Sequence, residues 1–235
     1  MSNKALVITG ASRGIGYATA QLFIEAGYKV VNLSRSEPAL TGIMHIPLDM
    51  SSSATIEACA GDIQAQLTGC DEIVMVHNAG LLRKDSTREL AADSLQEVLQ
   101  VNVVAPAQLN QIVLPLMQPG SSIIYLGSTL SEKGVANTCS YVTSKHALLG
   151  LMRASCQDLV GSGIHTACVC PGFTATEMLE NHVGGSTEIL ESIASGVAFN
   201  RLIEPMEIAR TIAFAANNPV LNGAVVHANL GQIEH

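Results

Sequence analysis

The sequence predicts a single α/β domain in which a doubly wound parallel sheet carries helices on both faces. Three observations predict it. Short apolar runs alternate with stretches of helical periodicity along the whole chain, the pattern of βαβ units with right-handed crossovers. The first apolar run leads into a glycine-rich turn and then a helix. Finally, 235 residues that are 48% hydrophobic and 14% charged suit one domain with a large core. No internal repeat, low-complexity tract or linker divides the chain.

Residues 4–9 (KALVIT) read as a buried strand. TGASRGIG, residues 9–16, follows, and ATAQLFIEAG forms a helix ending at Gly27. Strand, glycine-rich turn and helix in this order make a phosphate-binding site credible. Glycines let the backbone approach a pyrophosphate, and the helix start offers free N–H groups and a positive dipole end. The spacing of Gly10, Gly14 and Gly16 has one residue more in its first gap than GxGxxG. Residues 28–33 (YKVVNL) form a second strand, and the connection from Ser34 to Gly42 is too short for a full helix. Residues 43–48 form a third strand ending at Asp49, and 53–67 a helix. DEIVMVHNAG gives a fourth strand with Asn78, Ala79 and Gly80 at its carboxyl end.

Residues 93–117 carry one long helical pattern that contains Asn102 and Pro106. Proline at 106 has no N–H for the carbonyl of residue 102 and its ring crowds that carbonyl, so the helix should kink there. A polar residue beside a freed carbonyl in an apolar helix points to a site. SSIIYLG is the fifth strand, 139–160 the next helix, and GIHTACVCPG the sixth strand. The stretch 173–204 has no clear pattern; its Gly184, Gly185 and Ser186 suggest a flexible lid. EPMEIARTIAFAANN is a helix and GAVVHANL a closing strand.

The chemistry should lie where the fifth strand meets the next helix. Ser128 stands at the strand's carboxyl end, where open α/β sheets bind ligands. Tyr141 and Lys145, four apart, share one helix face. An ammonium held about 4 Å from a phenol, at an effective dielectric of ~20, interacts with its anion by roughly 4 kcal/mol. Such a phenol can give a proton to a ketone oxygen or take one from an alcohol, and Ser128 can hydrogen-bond the same oxygen. Alone, the YxxxK pattern is common on helix surfaces; the surrounding motifs give it meaning.

The same residues exclude other classes. The net charge is −8 and the 12 lysines and arginines are scattered, so no basic stripe fits nucleic acid or an anionic membrane. No apolar run reaches the ~18 residues of a membrane span. The chain enters a strand at once, leaving no room for a signal peptide, so a cytoplasmic protein is expected. The six cysteines (59, 70, 139, 156, 168 and 170) lack CxxC spacing and are expected as reduced thiols rather than metal ligands. Cys168 and Cys170 share one strand face, and Cys139, close to Tyr141, is expected to be the more exposed thiol.

Taken in order, these motifs resemble the short-chain dehydrogenase/reductase family over almost the whole chain. TGASRGIG is similar to its nucleotide-binding turn, with Gly10, Ser12, Arg13, Gly14, Ile15 and Gly16 as cofactor contacts. Asp49 resembles the acidic residue that contacts the adenine, with Met50 beside it. HNAG resembles the family's NNAG, with His77 replacing the first Asn and Asn78, Ala79 and Gly80 retained. Asn102, Ser128, Tyr141 and Lys145 match the catalytic tetrad, and PGFTAT places Pro171, Gly172, Thr174 and Thr176 near the nicotinamide. The resemblance implies a Rossmann-type fold and hydride transfer to or from a nicotinamide, coupled to proton transfer through Tyr141. Ser128 would position the carbonyl, Lys145 would hold the ribose, and Asn102 would support Lys145 through water. It also implies a homodimer or homotetramer packed through helices 93–117 and 139–160. Members that bind cofactor only as a sensor should show a damaged tetrad; here all four residues are present.

NADP(H) is expected rather than NAD(H). An NAD-selective site ends its second strand in a carboxylate, whereas YKVVNL is followed by Ser34 and Arg35. Arginine suits the 2′-phosphate through its planar fork, and Arg13 can reach the same group, while Glu37 should face solvent. The expected substrate is a small or medium apolar ketone or its alcohol, bordered by Leu130, Val135, Met178 and Leu179. A 3-oxoacyl thioester is the alternative. Loops 118–122 and 160–165 hold no lysine or arginine, which argues against an acidic carrier as partner.

Overall fold

The computed structural model describes residues 3–232. Seven parallel strands form one sheet in the order β3-β2-β1-β4-β5-β6-β7. They are β1 (Lys4–Thr9), β2 (Lys29–Ser34), β3 (Ile43–Pro47), β4 (Glu72–His77), β5 (Ser122–Leu126), β6 (His165–Pro171) and β7 (Ala224–Ala228). Because all seven run the same way, every strand delivers its carboxyl end to one edge. The chain order reverses between β1 and β4, the switch point at which such sheets open a ligand crevice.

Helices cover both faces, which is why the central strands read as continuous apolar runs rather than alternating ones. One face packs α1 (Gly14–Glu25) and α9 (Pro205–Ala216) over Leu6, Ile8, Val74, Val76, Ile124 and Val169. The other packs α2 (Ser53–Ala58), α3 (Ala60–Leu67), α5 (Ala105–Val113) and α6 (Cys139–Asp158) over Val7, Met75, Ile123, Tyr125, Cys168 and Cys170. The helix expected over 53–67 is thus two, broken at Cys59. As expected, no helix joins β2 to β3.

The pattern at 93–117 folds as α4 (Ala92–Leu99), a π-turn (Gln100–Val104), α5 and a 3-10 turn (Leu114–Leu116). Pro106 sits in the first turn of α5, where its missing N–H costs least. The chain widens just before it, and the kink expected there is this π-turn. It turns Asn102 fully inward, as π-turns at functional sites often do. The stretch 173–204 holds two short helices, α7 (Glu177–Val183) and α8 (Thr187–Ser195), with Gly184 left-handed between them at φ 68°.

All six cysteines are free. Cys168 and Cys170 share a face of β6 with sulfurs 3.7 Å apart, and Cys139 is matched in partial exposure by Cys59. His77 is buried in β4 beneath α5, where its Nε2 donates to Asn110 Oδ1 at 2.7 Å. Burial pushes this histidine down to about 4. The network continues from Asn110 Nδ2 to the Tyr125 hydroxyl, and from Tyr125 to Ser155. His77 therefore packs structurally, as a core residue. Among the described residues, no helix is long and apolar enough to cross a membrane, and no cluster of side chains could hold a metal.

Candidate active site

The carboxyl edge brings the first-strand turn, the ends of β4, β5 and β6, and the start of α6 around one crevice. Thr9, the last residue of β1, anchors the neighbouring strand end: its Oγ1 accepts from the N–H groups of both Asn78 (3.0 Å) and Ala79 (2.8 Å). Asn78 answers through Nδ2, which donates to the carbonyls of Thr9 (2.8 Å) and Gly10 (3.1 Å). From the other side, Asn32 of β2 accepts from Ala11 N–H at 2.9 Å. Three strands thus hold the glycine-rich turn. A Cβ on Gly16 would lie 2.3 Å from the Gly10 carbonyl oxygen and 2.5 Å from Asn78 Nδ2, so only glycine fits.

The turn fits an anion. α1 has no acidic residue in its first turn and no side chain capping its start, so its first N–H groups are open. Gly80 borders the same space, and a Cβ there would stand 3.7 Å from both Asn102 Oδ1 and Lys145 Nζ. A phosphate-bearing cofactor suits these residues.

Tyr141 and Lys145 occupy successive turns of α6, with Lys145 Nζ 5.5 Å from the tyrosine ring centre. Lys145 is only 4% exposed and donates to the Leu126 carbonyl at 2.7 Å. A buried ammonium is costly unless bonded; here the end of β5 binds it and fixes its position. Ser128 begins a 3-10 turn (Thr129–Ser131), and its Oγ accepts from Leu130 N–H at 3.1 Å. That bond occupies one lone pair and leaves the hydroxyl proton to be donated. Asn102 spends its amide on protein partners: Oδ1 accepts from Leu81 N–H at 2.7 Å, and Nδ2 donates to the Leu81 carbonyl at 3.0 Å and to Ser144 Oγ at 2.8 Å.

The structure therefore gathers all four tetrad residues at one edge. The other expected positions distribute as follows. Ser12 and Ile15 lie in the turn, and Met50 is buried beside Asp49. Asp49 is held below the usual carboxylate range, first by the Ser51 N–H and hydroxyl and then by nearby Arg35. Arg35 and Asp49 border a cavity of about 350 Å³ with Leu48, Thr55 and Cys59. Ser34 departs from expectation: its hydroxyl donates to the Ser36 carbonyl at 2.7 Å and accepts from Asn32, so its proton is already committed. Glu37 is exposed. Arg13 reaches across the crevice to Glu177 of α7, 2.5 Å away. Pro171 ends β6; Gly172 packs against Asn229; Thr174 is buried with its hydroxyl on the Gly172 carbonyl. Thr176 caps α7 and lies over Gly14.

Loops 118–122 and 160–165 require a correction. They precede β5 and β6 and bond to each other through Gly120 N–H and the Gly163 carbonyl, at 2.9 Å. They lie on the amino edge of the sheet, opposite the crevice, so their lack of charge does not describe its mouth within one protomer. The segments that do follow β4 and β5 hold Arg83, Lys84, Arg88 and Lys133.

Comparison with known proteins agrees with this geometry. A family model described as Enoyl-(Acyl carrier protein) reductase matches residues 10–232. The chain belongs to the short-chain dehydrogenase/reductase family. This is a family of oxidoreductases, and the match runs from the glycine-rich turn to beyond β7. The 3-oxoacyl-[acyl-carrier-protein] reductase FabG of Salmonella typhimurium is 28% identical over 97% of this chain and 96% of that protein. Carbonyl reductase family member 4 of Xenopus laevis is also 28% identical, over 95% of each chain. A short-chain dehydrogenase family structure from Francisella tularensis superposes with a TM-score of 0.89 at 25% identity, covering 99% of both chains.

Several supporting residues of this short-chain dehydrogenase/reductase site were not picked out from the sequence. Thr9, Asn32, Leu81, Asp85 and Ser144 each make a hydrogen bond to a segment that carries an expected site residue. Only Asn32 left a local trace, as a polar residue inside the apolar run VVNL.

Proposed function

We propose that this chain is an NADP(H)-dependent reductase or dehydrogenase that interconverts a small or medium carbonyl compound and its alcohol. The observation that carries the reading is the convergence of Tyr141, the buried, carbonyl-anchored Lys145 and the open hydroxyl of Ser128 beside the glycine cradle. The cofactor, when bound, supplies or accepts the hydride. Tyr141 gives its phenolic proton to the carbonyl oxygen in reduction and takes it back in oxidation. The Lys145 ammonium stabilises the phenolate that remains. Ser128 donates a hydrogen bond to the same substrate oxygen and keeps its proton, orienting the carbonyl and sharing its developing charge. Asn102 acts by position, holding Leu81 and Ser144 in place around Lys145.

The preference for NADP(H) is supported by Arg35 and Arg13, both exposed at the crevice, and by the absence of a carboxylate at the end of β2. With the Ser34 proton committed, the arginines are left as the phosphate ligands. Assembly as a homodimer or homotetramer is supported by the outer side of α6, where the exposed residues Thr143, Ala147, Gly150 and Ala154 are small enough for close helix packing. A 3-oxoacyl thioester is the second reading, favoured by relatives named as 3-oxoacyl reductases and by Arg83, Lys84, Arg88 and Lys133 on the segments at the carboxyl edge.

The test is Tyr141→Phe, which should keep cofactor binding and lose turnover by roughly 10² or more, the worth of general acid–base catalysis. A fully active variant overturns the reading. A panel of ketones, sugars and acyl thioesters, followed by nicotinamide absorbance, separates the two substrate classes.

A further inference from the structure

Helix α6 does not cap itself. Its N-cap residue, Thr138, turns its hydroxyl back to the Val135 carbonyl and makes no side-chain bond to the helix. The cap comes instead from Asp85, 55 residues before Ser140, in the segment that follows β4. The Asp85 carbonyl accepts from Cys139 N–H at 3.2 Å, and Oδ1 accepts from Ser140 N–H at 2.9 Å. Oδ2 accepts a hydrogen bond from the hydroxyl of Ser140, which is fully buried. Asp85 N–H donates to the Asn137 carbonyl at 3.2 Å, completing a parallel bridge to the entry of the helix. A carboxylate here satisfies the open N–H groups and the dipole together.

The other end of the same segment is fastened as firmly. Leu81 is held by Asn102, whose Nδ2 also bonds Ser144. Residues 81–85 thus form a strap tied to α6 at two points, through Ser140 and through Ser144. Those residues immediately precede Tyr141 and Lys145. The strap itself continues from Asn78–Gly80, the wall of the cofactor crevice.

We propose that Asp85 is a positioning residue for Tyr141: it anchors the start of α6 so that the phenol stands at the substrate oxygen when cofactor occupies the crevice. The inference rests on the catalytic role of Tyr141 proposed above. Without the cap the first turn of α6 is free to fray, and displacements of about 1 Å at a reacting group can cost on the order of a hundredfold in rate.

The experiment compares Asp85→Ala, Asp85→Asn and Tyr141→Phe with the wild-type enzyme, each well below its unfolding midpoint. Asp85→Ala should lower kcat about tenfold to a hundredfold with cofactor Kd and KM little changed. Asp85→Asn should restore most of kcat, because its amide oxygen still accepts from Ser140 N–H. Wild-type turnover in Asp85→Ala, or an equal loss in Asp85→Asn, overturns the inference. So does a loss confined to stability, with kcat intact at low temperature. If Asp85→Ala does not fold, Ser140→Ala carries the test; it removes only the hydroxyl bond and should lower kcat severalfold, and unchanged turnover overturns the inference. Tyr141→Phe separates the two readings: an active variant defeats the proposed function itself, whereas an inactive one beside a fully active Asp85→Ala defeats only the role of Asp85.

Discussion

Asn102 grips Leu81 by both ends of its amide, accepting from the Leu81 N–H at 2.7 Å and donating to the Leu81 carbonyl at 3.0 Å. A side chain in a π-turn thereby imitates a strand partner for a segment 21 residues earlier. Asn102→Ala should leave both backbone groups unpaired, at about 2–4 kcal/mol in total, and should also lower turnover. Asn102→Asp keeps the acceptor but loses the donor, and should fall between. Urea unfolding with parallel kcat measurements checks this; an alanine variant as stable as wild type would remove the grip from the account.

Gly16→Ala places a methyl 2.3 Å from the Gly10 carbonyl oxygen. The turn must move, breaking the Asn78 clamp. The expected outcome is a stability loss of about 1–3 kcal/mol, the usual cost of overpacking, together with weakened binding of either reduced cofactor. Fluorescence titration reads the binding, and undiminished affinity would contradict the cradle.

Arg13 is paired with Glu177, so a 2′-phosphate must draw it away. Both side chains are more than half exposed, and such pairs are worth about 0.2–1 kcal/mol. Glu177→Gln should therefore tighten NADPH binding by about twofold to fivefold and leave NADH unchanged. Arg13→Ala and Arg35→Ala should each weaken NADPH about tenfold or more, the worth of a charged hydrogen bond. Calorimetric titration with both cofactors decides; equal wild-type affinities would refute the NADP(H) assignment.

His77 sets a pH dependence. Its folded value is depressed from 6.5 to about 4, chiefly by burial. Between these values the unfolded chain binds more protons than the folded one, so stability falls as pH falls through 6.5 toward 4. The loss approaches about 3 kcal/mol at the acid end. His77→Gln, which keeps a donor for Asn110, should flatten the slope. Urea midpoints at neutral and acid pH, compared between wild type and variant, isolate this contribution; identical slopes would count against it.

The alternation of strands and helices, the parallel sheet and the placement of Ser128, Tyr141 and Lys145 at one edge were legible because they rest on short-range signals. Tyr141 and Lys145 meet through helix periodicity alone, and Ser128 is placed by the end of an apolar run. Pro106 announced the break at Asn102, since a missing N–H is a local fact. The loops at 118–122 and 160–165 were misplaced because the edge a loop occupies depends on strand direction across the whole sheet.

What the sequence by itself determined is therefore the strands, their parallel direction and the residue types at the carboxyl edge. Burial patterns and hydrogen-bond gaps repeat within a few residues and need no distant partner. Tertiary structure alone decided what each polar group bonds. It joined His77 to Asn110, Arg13 to Glu177, and the cap of α6 to Asp85. Most of these partners lie tens of residues apart, or more than a hundred for Arg13 and Glu177. A buried or aligned polar group must find a partner wherever folding brings one within about 3 Å, and that choice is made by packing, not by spacing along the chain.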